Sequence, residues 1–281
     1  MSTAQSSHVL SQFTHNLNFH EFLTFPSNSC LDYPDAPAST RVGLAYCFHC
    51  LGNDKKALRA LDRALQLDPT NETALAIKAS IQRNLPSLSP SDRIESSLQT
   101  IRQLYAINQN HPQALTYIAD HYFNVWRVVE GVECSIQKGD HKVHFVGDLK
   151  SLLTPSMLIR INGVIVKIGA NMNCISASTI TLSMPYEGET IENCPLEIRL
   201  TKKALEYATN ALKYTKTNSL KSEAYEIMGR CYHYLHNWSH ANDALAKAVR
   251  SNGKNSLALY EASQVYVIVS GVIIDDIGVF T

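Results

Sequence analysis

Two stretches decide how this chain is read: RVGLAYCFHCLGNDKKALRALDRALQLDP at 41–69 and YEIMGRCYHYLHNWSHANDALAKAVRSNG at 225–253. Laid side by side, small Ala45 matches Gly229 and aromatic Phe48 matches Tyr232. Ala57 matches Ala241, Leu61 matches Leu245 and Ala64 matches Ala248. Small residues midway along one helix and early in the next let two helices approach closely, and the aromatic fills the gap one turn on. Pro69 falls where the second helix cannot continue, and Asp68-Pro69-Thr70-Asn71 reads as a turn. The Cys47-Phe48-His49-Cys50 spacing raises redox or zinc chemistry. Both cysteines, however, fall late in a first helix, where the helix dipole disfavours a thiolate. No second Cys-x-x-Cys completes a zinc set; Cys231, His233, His236 and His240 raise the same question, and the histidines read as surface or groove residues rather than ligands.

This pattern is that of the tetratricopeptide repeat (TPR), two antiparallel helices in about 34 residues. Partial units surround the two good ones. ETALAIKASIQR (72–83) reads as a first helix, and DRIESSLQTIRQLYAI (92–107) as its partner across the loop NLPSLSPS. PQALTYIADHYFNVW (112–126) begins a third repeat, with Ala119 at the small position, and SLALYEASQVY (256–266) begins a fifth. The second helix of repeat three is read at KKALEYATNALKYTK (202–216), with Ala204 and Ala211 at small positions. The expected fold is an all-α TPR right-handed superhelix of about four to five repeats, some partial.

Between Trp126 and Thr201 the composition turns to Ile, Val, Thr, Ser and Gly. INGVIVKI (161–168) reads as strand–turn–strand on Asn162-Gly163, and TITLSM as a further strand. Two readings stand: a small β-rich domain grafted onto a TPR turn, or translated non-coding sequence from a retained intron or a wrong gene model. The irregular alternation, with no obvious core, favours the second. Its Cys134, His141, His144, Cys174 and Cys194 show no zinc-ligand spacing. The expected organisation is a poorly ordered 1–37; TPR repeats one, two and the first helix of three over 38–126; the irregular β-prone insert over 127–201; the rest of repeat three, repeat four and the first helix of five over 202–266; and a foreign tail over 267–281.

The chain has 281 residues, with 25 Lys and Arg balanced by 25 Asp and Glu, which argues against a broad nucleic-acid surface. Seven scattered cysteines suit a reducing compartment. The start of the chain shows no secretory signal, and VYVIVSGVII (265–274) is shorter than the roughly 20 residues that span a bilayer. There is no Gly-rich phosphate loop, His-Glu-x-x-His or Gly-x-Ser-x-Gly motif. A scaffold without catalytic residues, cofactor or metal is therefore expected. Its groove, lined by first helices, is expected to hold Tyr46, His49, Arg83, Asp120, Phe123, Arg230, His233 and Tyr260. A chaperone-type carboxylate clamp would need cations at Val42, Tyr46, Ile77, Gln113 and Tyr117, and none is there.

The stretch IRQLYAINQNHPQALTYIADHYF (101–123), with Asp120-His121 before Tyr122-Phe123, resembles the TPR subunit of the RNA polymerase II-associated factor (Paf) complex. KSEAYEIMGRCYHYLHNWSHANDALAKAV (221–249) is similar to that family's next repeat, with His236-Asn237-Trp238 at its turn. The resemblance runs over about 41–126 and 202–266, little more than half the chain and far shorter than the family's arrays. It implies a nuclear protein and a scaffold in transcription elongation and histone modification. Its implied partners are other Paf-complex subunits and, through them, RNA polymerase II and chromatin-modifying factors.

Overall fold

The computed structural model describes residues 36–147, 149 and 152–270. The expectations for 1–35 and for 271–281 lie outside the described residues. Two compact units divide the chain. One holds the residues up to Ile118 with Tyr207–Ala224 and Ala248–Ser256; the other holds Ala119–Glu206, Tyr225–Lys247 and the residues from Leu257.

In the first unit the helices begin where the sequence supplies caps. Helix α1 (Ala38–Cys50) follows Pro37, and α2 (Asp54–Leu67) starts after Asn53, whose side chain accepts from the Lys56 amide. Asn71 caps α3 (Glu72–Asn84) in the same way, 2.9 Å from the Ala74 amide. Ser89 caps α4 (Pro90–Ile107), and its first residue is a proline that has no amide to leave unsatisfied. Ala45, Ala57, Leu61 and Ala64 are fully buried and pack with Ala74, Ile77 and Ile81 of α3. The other side of α3 supplies Leu75, Ala76 and Ala79 to a second cluster with Ile101 and Leu104 of α4 and Ala114 of α5 (Pro112–Asn124). One helix thus feeds two successive layers, which is how a solenoid couples each repeat to its neighbour.

Leu115 of α5 shares a third cluster with Ala211 of α6 (Thr201–Tyr214) and Ala224 of α7 (Asn218–Tyr234). Tyr105 and Tyr207 meet edge-on there at 6.3 Å. Buried Ser222 donates to the Ala248 carbonyl of α8 (Trp238–Ser251) at 2.8 Å and accepts from Asn255 at 3.1 Å. These are TPR-like helix pairs, and α5 and α6 remain packed although the chain between them makes a long excursion.

That excursion lies in the second unit. It forms a six-stranded antiparallel sheet of β1 (Trp126–Ile136), β2 (Lys142–Val146), β3 (Leu158–Ile161), β4 (Val164–Lys167), β5 (Thr179–Thr181) and β6 (Ile191–Arg199), in the order β4-β3-β6-β1-β2-β5. Asn162 and Gly163 both take positive φ, 46° and 81°, the conformation of a two-residue hairpin whose twist matches its strands. Just beyond β4 and β5, Ile168 bridges Leu182, the Gly169 amide donates to Thr181 and the Ser183 amide donates to Lys167. The two outer strands therefore meet, and the sheet curls round its own core. Val143, Ile159, Ile161, Ile168, Ile180 and Leu196 are fully buried in that core.

Two expectations are corrected here. The chain is not all-α, and the insert is neither irregular nor coreless. Strands β2 to β5 are short and the longer β1 and β6 are bulged, so apolar residues do not alternate over long windows; the β1–β6 pairing shifts register between Val128 and Glu133 and again between Cys134 and Ile136. The core is assembled from single residues that only strand pairing brings together. In the same unit, Gly229 of α7 lies where a Cβ would overlap Leu245 of α8. Finally, α9 (Ser256–Ser270) runs past Tyr266 rather than ending there. If the sheet carries stability, Ile159→Ala should cost about 2–5 kcal/mol. Urea unfolding read by tryptophan fluorescence, with Trp126 at the start of β1, measures this, and a loss under about 0.5 kcal/mol, the size of an inert surface change, would show that the sheet contributes nothing.

Candidate interaction surface

All nine small residues assigned to helix packing are buried: Ala45, Ala57, Ala64, Ala119, Ala204, Ala211, Gly229, Ala241 and Ala248. The eight groove candidates are placed less uniformly. In the first unit Tyr46 is only 9% exposed and packs in the α1/α2/α3 cluster, so it is a core residue rather than an open anchor. Burial, then the hydrogen bond and charge of Cys50, push its phenol well above the ordinary range. His49 joins the end of α1 to the start of α2 through its Nδ1, 2.5 Å from Asp54. Arg83 lays its guanidinium over the Tyr117 ring at 4.7 Å, and the Tyr117 hydroxyl bonds Ser97. The Cys47 thiol is raised first by burial and then by the charge of Cys50, the opposite of what a reactive thiolate needs.

In the second unit four candidates converge. Arg230 Nη1 lies 3.2 Å from Asp120 of α5 and 3.2 Å from Glu226 one turn back on α7. Its Nη2 donates to Asn124 at 3.0 Å, and its Nε stands 3.9 Å from Glu261 of α9. His233 Nδ1 is 3.4 Å from the other oxygen of Glu261. The Arg230 guanidinium also sits over the Phe123 ring at 4.4 Å. Burial opposes the Arg230 charge, but Glu226, Asp120 and Glu261 outweigh it and hold the guanidinium even more firmly protonated. With 14% of its side chain exposed, Arg230 is the hub that ties α5, α7 and α9 together. Tyr260 stands apart from this fan, 60% exposed.

Sequence reasoning missed Glu226, Asn124 and Glu261. The i, i+4 spacings Glu226–Arg230 and Asp120–Asn124 were available signals. It also missed Arg199 at the end of β6, which stacks over Trp126 at 4.7 Å, Phe123 at 5.3 Å and Tyr234 at 5.6 Å. The Tyr234 hydroxyl donates to the Leu158 carbonyl at 2.5 Å, and His236 Nε2 donates to the Ser156 carbonyl at 2.9 Å. The sheet is thereby rooted on α5 and α7. Among the described residues no three His, Cys, Asp or Glu side chains converge on a point that could hold a metal ion, and no helix is long and apolar enough to cross a membrane.

The class is thus a TPR-like helical array carrying a β-sheet module. No family model matches the chain. Over 107 residues, 37% of the chain, it is 33% identical to the Protein CTR9 homolog of Arabidopsis thaliana, of which this covers 9%. Over 86 residues, 31% of the chain, it is 30% identical to the RNA polymerase-associated protein CTR9 of Caenorhabditis elegans, covering 7% of it. These partial homologies agree with the resemblance to the TPR subunit of the Paf complex, and the chain spans less than a tenth of the length of either relative. Among solved structures it is similar to a thermophilic TPR protein of Thermus thermophilus, with 11% identity, TM-score 0.47 and coverage of 92% of this chain and 96% of that one. It is also similar to Pseudomonas aeruginosa PilF, with 12% identity, TM-score 0.47 and coverage of 85% and 71%.

Removing the hub guanidinium would leave three largely buried carboxylates facing one another. Arg230→Ala should therefore destabilise the chain by about 3–5 kcal/mol, the cost of breaking a buried pair from one side. The double variant with Glu226→Gln should recover part of that loss; a denaturant midpoint for Arg230→Ala equal to the parent's would show that the fan is ornamental. The histidines give a pH signature. His236 is lowered first by burial and further by nearby Lys167 and His233, against the pull of the Ser156 carbonyl; His111 is lowered by burial against Glu72. Groups depressed in the folded state bind protons more readily when unfolded, so their stability is fully present above the ordinary histidine value of about 6.5 and is lost as pH falls through the folded value. Unfolding midpoints should fall between pH 7 and 5, and His236→Asn, which keeps the left-handed turn at φ 57°, should flatten the slope.

Proposed function

We propose that this chain is a non-catalytic protein–protein interaction scaffold, part of a TPR subunit of the Paf complex. In this reading it acts in the nucleus in RNA polymerase II transcription elongation and the histone modification coupled to it. Its direct partners are other Paf-complex subunits, and it reaches the polymerase and chromatin-modifying factors through them. The observation that carries the reading is the 33% identity to a CTR9 protein over 107 residues. The charge balance supports a protein partner over a nucleic-acid one. The fan on Arg230 supports a scaffold by rigidifying three helices whose first-helix positions line the proposed groove. In the second unit His233 and exposed Tyr260, and in the first unit Arg83, are the residues proposed to meet a partner.

Affinity capture of the chain from nuclear extract, with mass-spectrometric identification, tests this. Paf-complex subunits should be recovered, and Tyr260→Ala, at an exposed position, should weaken recovery at least several-fold without shifting the unfolding midpoint. Recovery of chaperones alone from a folded chain would favour a general TPR adaptor instead.

A further inference from the structure

Strands β1 and β6 run antiparallel with Cys134 directly opposite Cys194. Directly opposed residues project to the same face with Cβ atoms about 4.5–5.5 Å apart, and a disulfide needs them at about 3.5–4.5 Å. A small inward shift closes that gap. The Cys134 thiol already leans across the pair, donating to the Cys194 carbonyl at 3.2 Å. Cys134 is 1% exposed, Cys194 is half-buried and packs against the same core, and both are free. The sheet is loosened just here. Pairing skips from Cys134 with Cys194 to Ile136 with Ile191, and the intervening Asn193 adopts φ 54°. Such a bulge leaves a residue unpaired and disrupts the ladder locally. Buried Tyr186 adjoins the pair; its hydroxyl has no hydrogen-bond partner among the described residues. Burial, and then charge on Cys194 and Cys134, raise its phenol, which places it within electrostatic reach of both thiols.

We propose that Cys134 and Cys194 are a dithiol that a low-molecular-weight disulfide oxidises to a disulfide across the centre of the sheet. Cys194, the accessible member, loses its proton to water and attacks one sulfur of the external disulfide. That S–S bond breaks, and the departing thiolate takes up a proton. Cys134 then loses its proton and attacks the Cys194 sulfur, expelling the second small thiol. Two protein thiols and one external disulfide become one protein disulfide and two small thiols, with two electrons passing to the oxidant. Burial, and then the charge of Cys194, push the Cys134 thiol to about 12. The second step is therefore slow at neutral pH, and the mixed disulfide on Cys194 accumulates first. The finished bond joins residues 60 positions apart and locks two adjacent central strands, so the oxidised chain unfolds at a higher temperature.

The whole chain is incubated with glutathione disulfide, alkylated at intervals and mapped by mass spectrometry under non-reducing conditions. The expected record is an early glutathione adduct on Cys194 that converts to a Cys134–Cys194 linked peptide, several-fold faster at pH 9 than at pH 7. The melting temperature should rise by several degrees and return on reduction. Cys134→Ser should stop at the Cys194 adduct, and Cys194→Ser should give no linked peptide. If either variant fails to fold, the parent's peptide map decides alone. Absence of the linked peptide at pH 9 while exposed Cys50 is modified, or a Cys194 adduct that never resolves, would overturn the proposal.

Discussion

The Phe123 ring carries two guanidiniums, Arg230 at 4.4 Å and Arg199 at 5.3 Å. Arg230 belongs to the helical framework and Arg199 to the last strand of the sheet, so one aromatic at the end of α5 anchors both. Each cation over an aromatic face is worth about 0.5–2 kcal/mol, depending on how dry it is. The surrounding constraint is larger. Asp120, Glu226 and Glu261 are largely buried carboxylates, and Arg230 standing among them offsets much of the cost of burying their charge. That arrangement holds α5, α7 and α9 in fixed relation and gives the sheet a rigid surface to stand on.

The same anchor explains how a repeat turn accommodates an entire β module. Trp126, the first residue of β1, pairs with Arg199, the last of β6. The chain thus leaves the helical framework and returns at adjacent points, and the helices see a short connection. The entropic cost of a longer loop grows only logarithmically with its length, and within the module that cost is offset by a core of its own. Leu115 and Ala211 consequently still meet across α5 and α6. Tyr234 and His236, at the end of α7 and the turn beyond it, complete the seam by donating to the Leu158 carbonyl of β3 and the Ser156 carbonyl in the turn before it.

Local chemistry in the sequence determined the helical framework. Small residues at Ala45, Ala57, Ala64, Ala241 and Ala248, and a glycine at Gly229, can sit only where helices touch, because any larger side chain there would keep them apart. Capping residues Asn53, Asn71 and Ser89 marked the helix starts for the same local reason. The Asn162-Gly163 turn was legible because two successive positive φ angles demand those residue types. Tertiary structure decided the rest. The sheet's core depends on pairings between strands far apart in sequence, and its bulges scramble the alternation that would have revealed it. Tyr46 reads as a groove residue by register yet is buried by its neighbours, and Arg230 becomes a hub only when α5 and α9 bring Asp120 and Glu261 to it. Periodicity reports which face of a helix is covered, whereas the identity of the covering group, and hence whether a charge is free or committed, is set by non-local contacts.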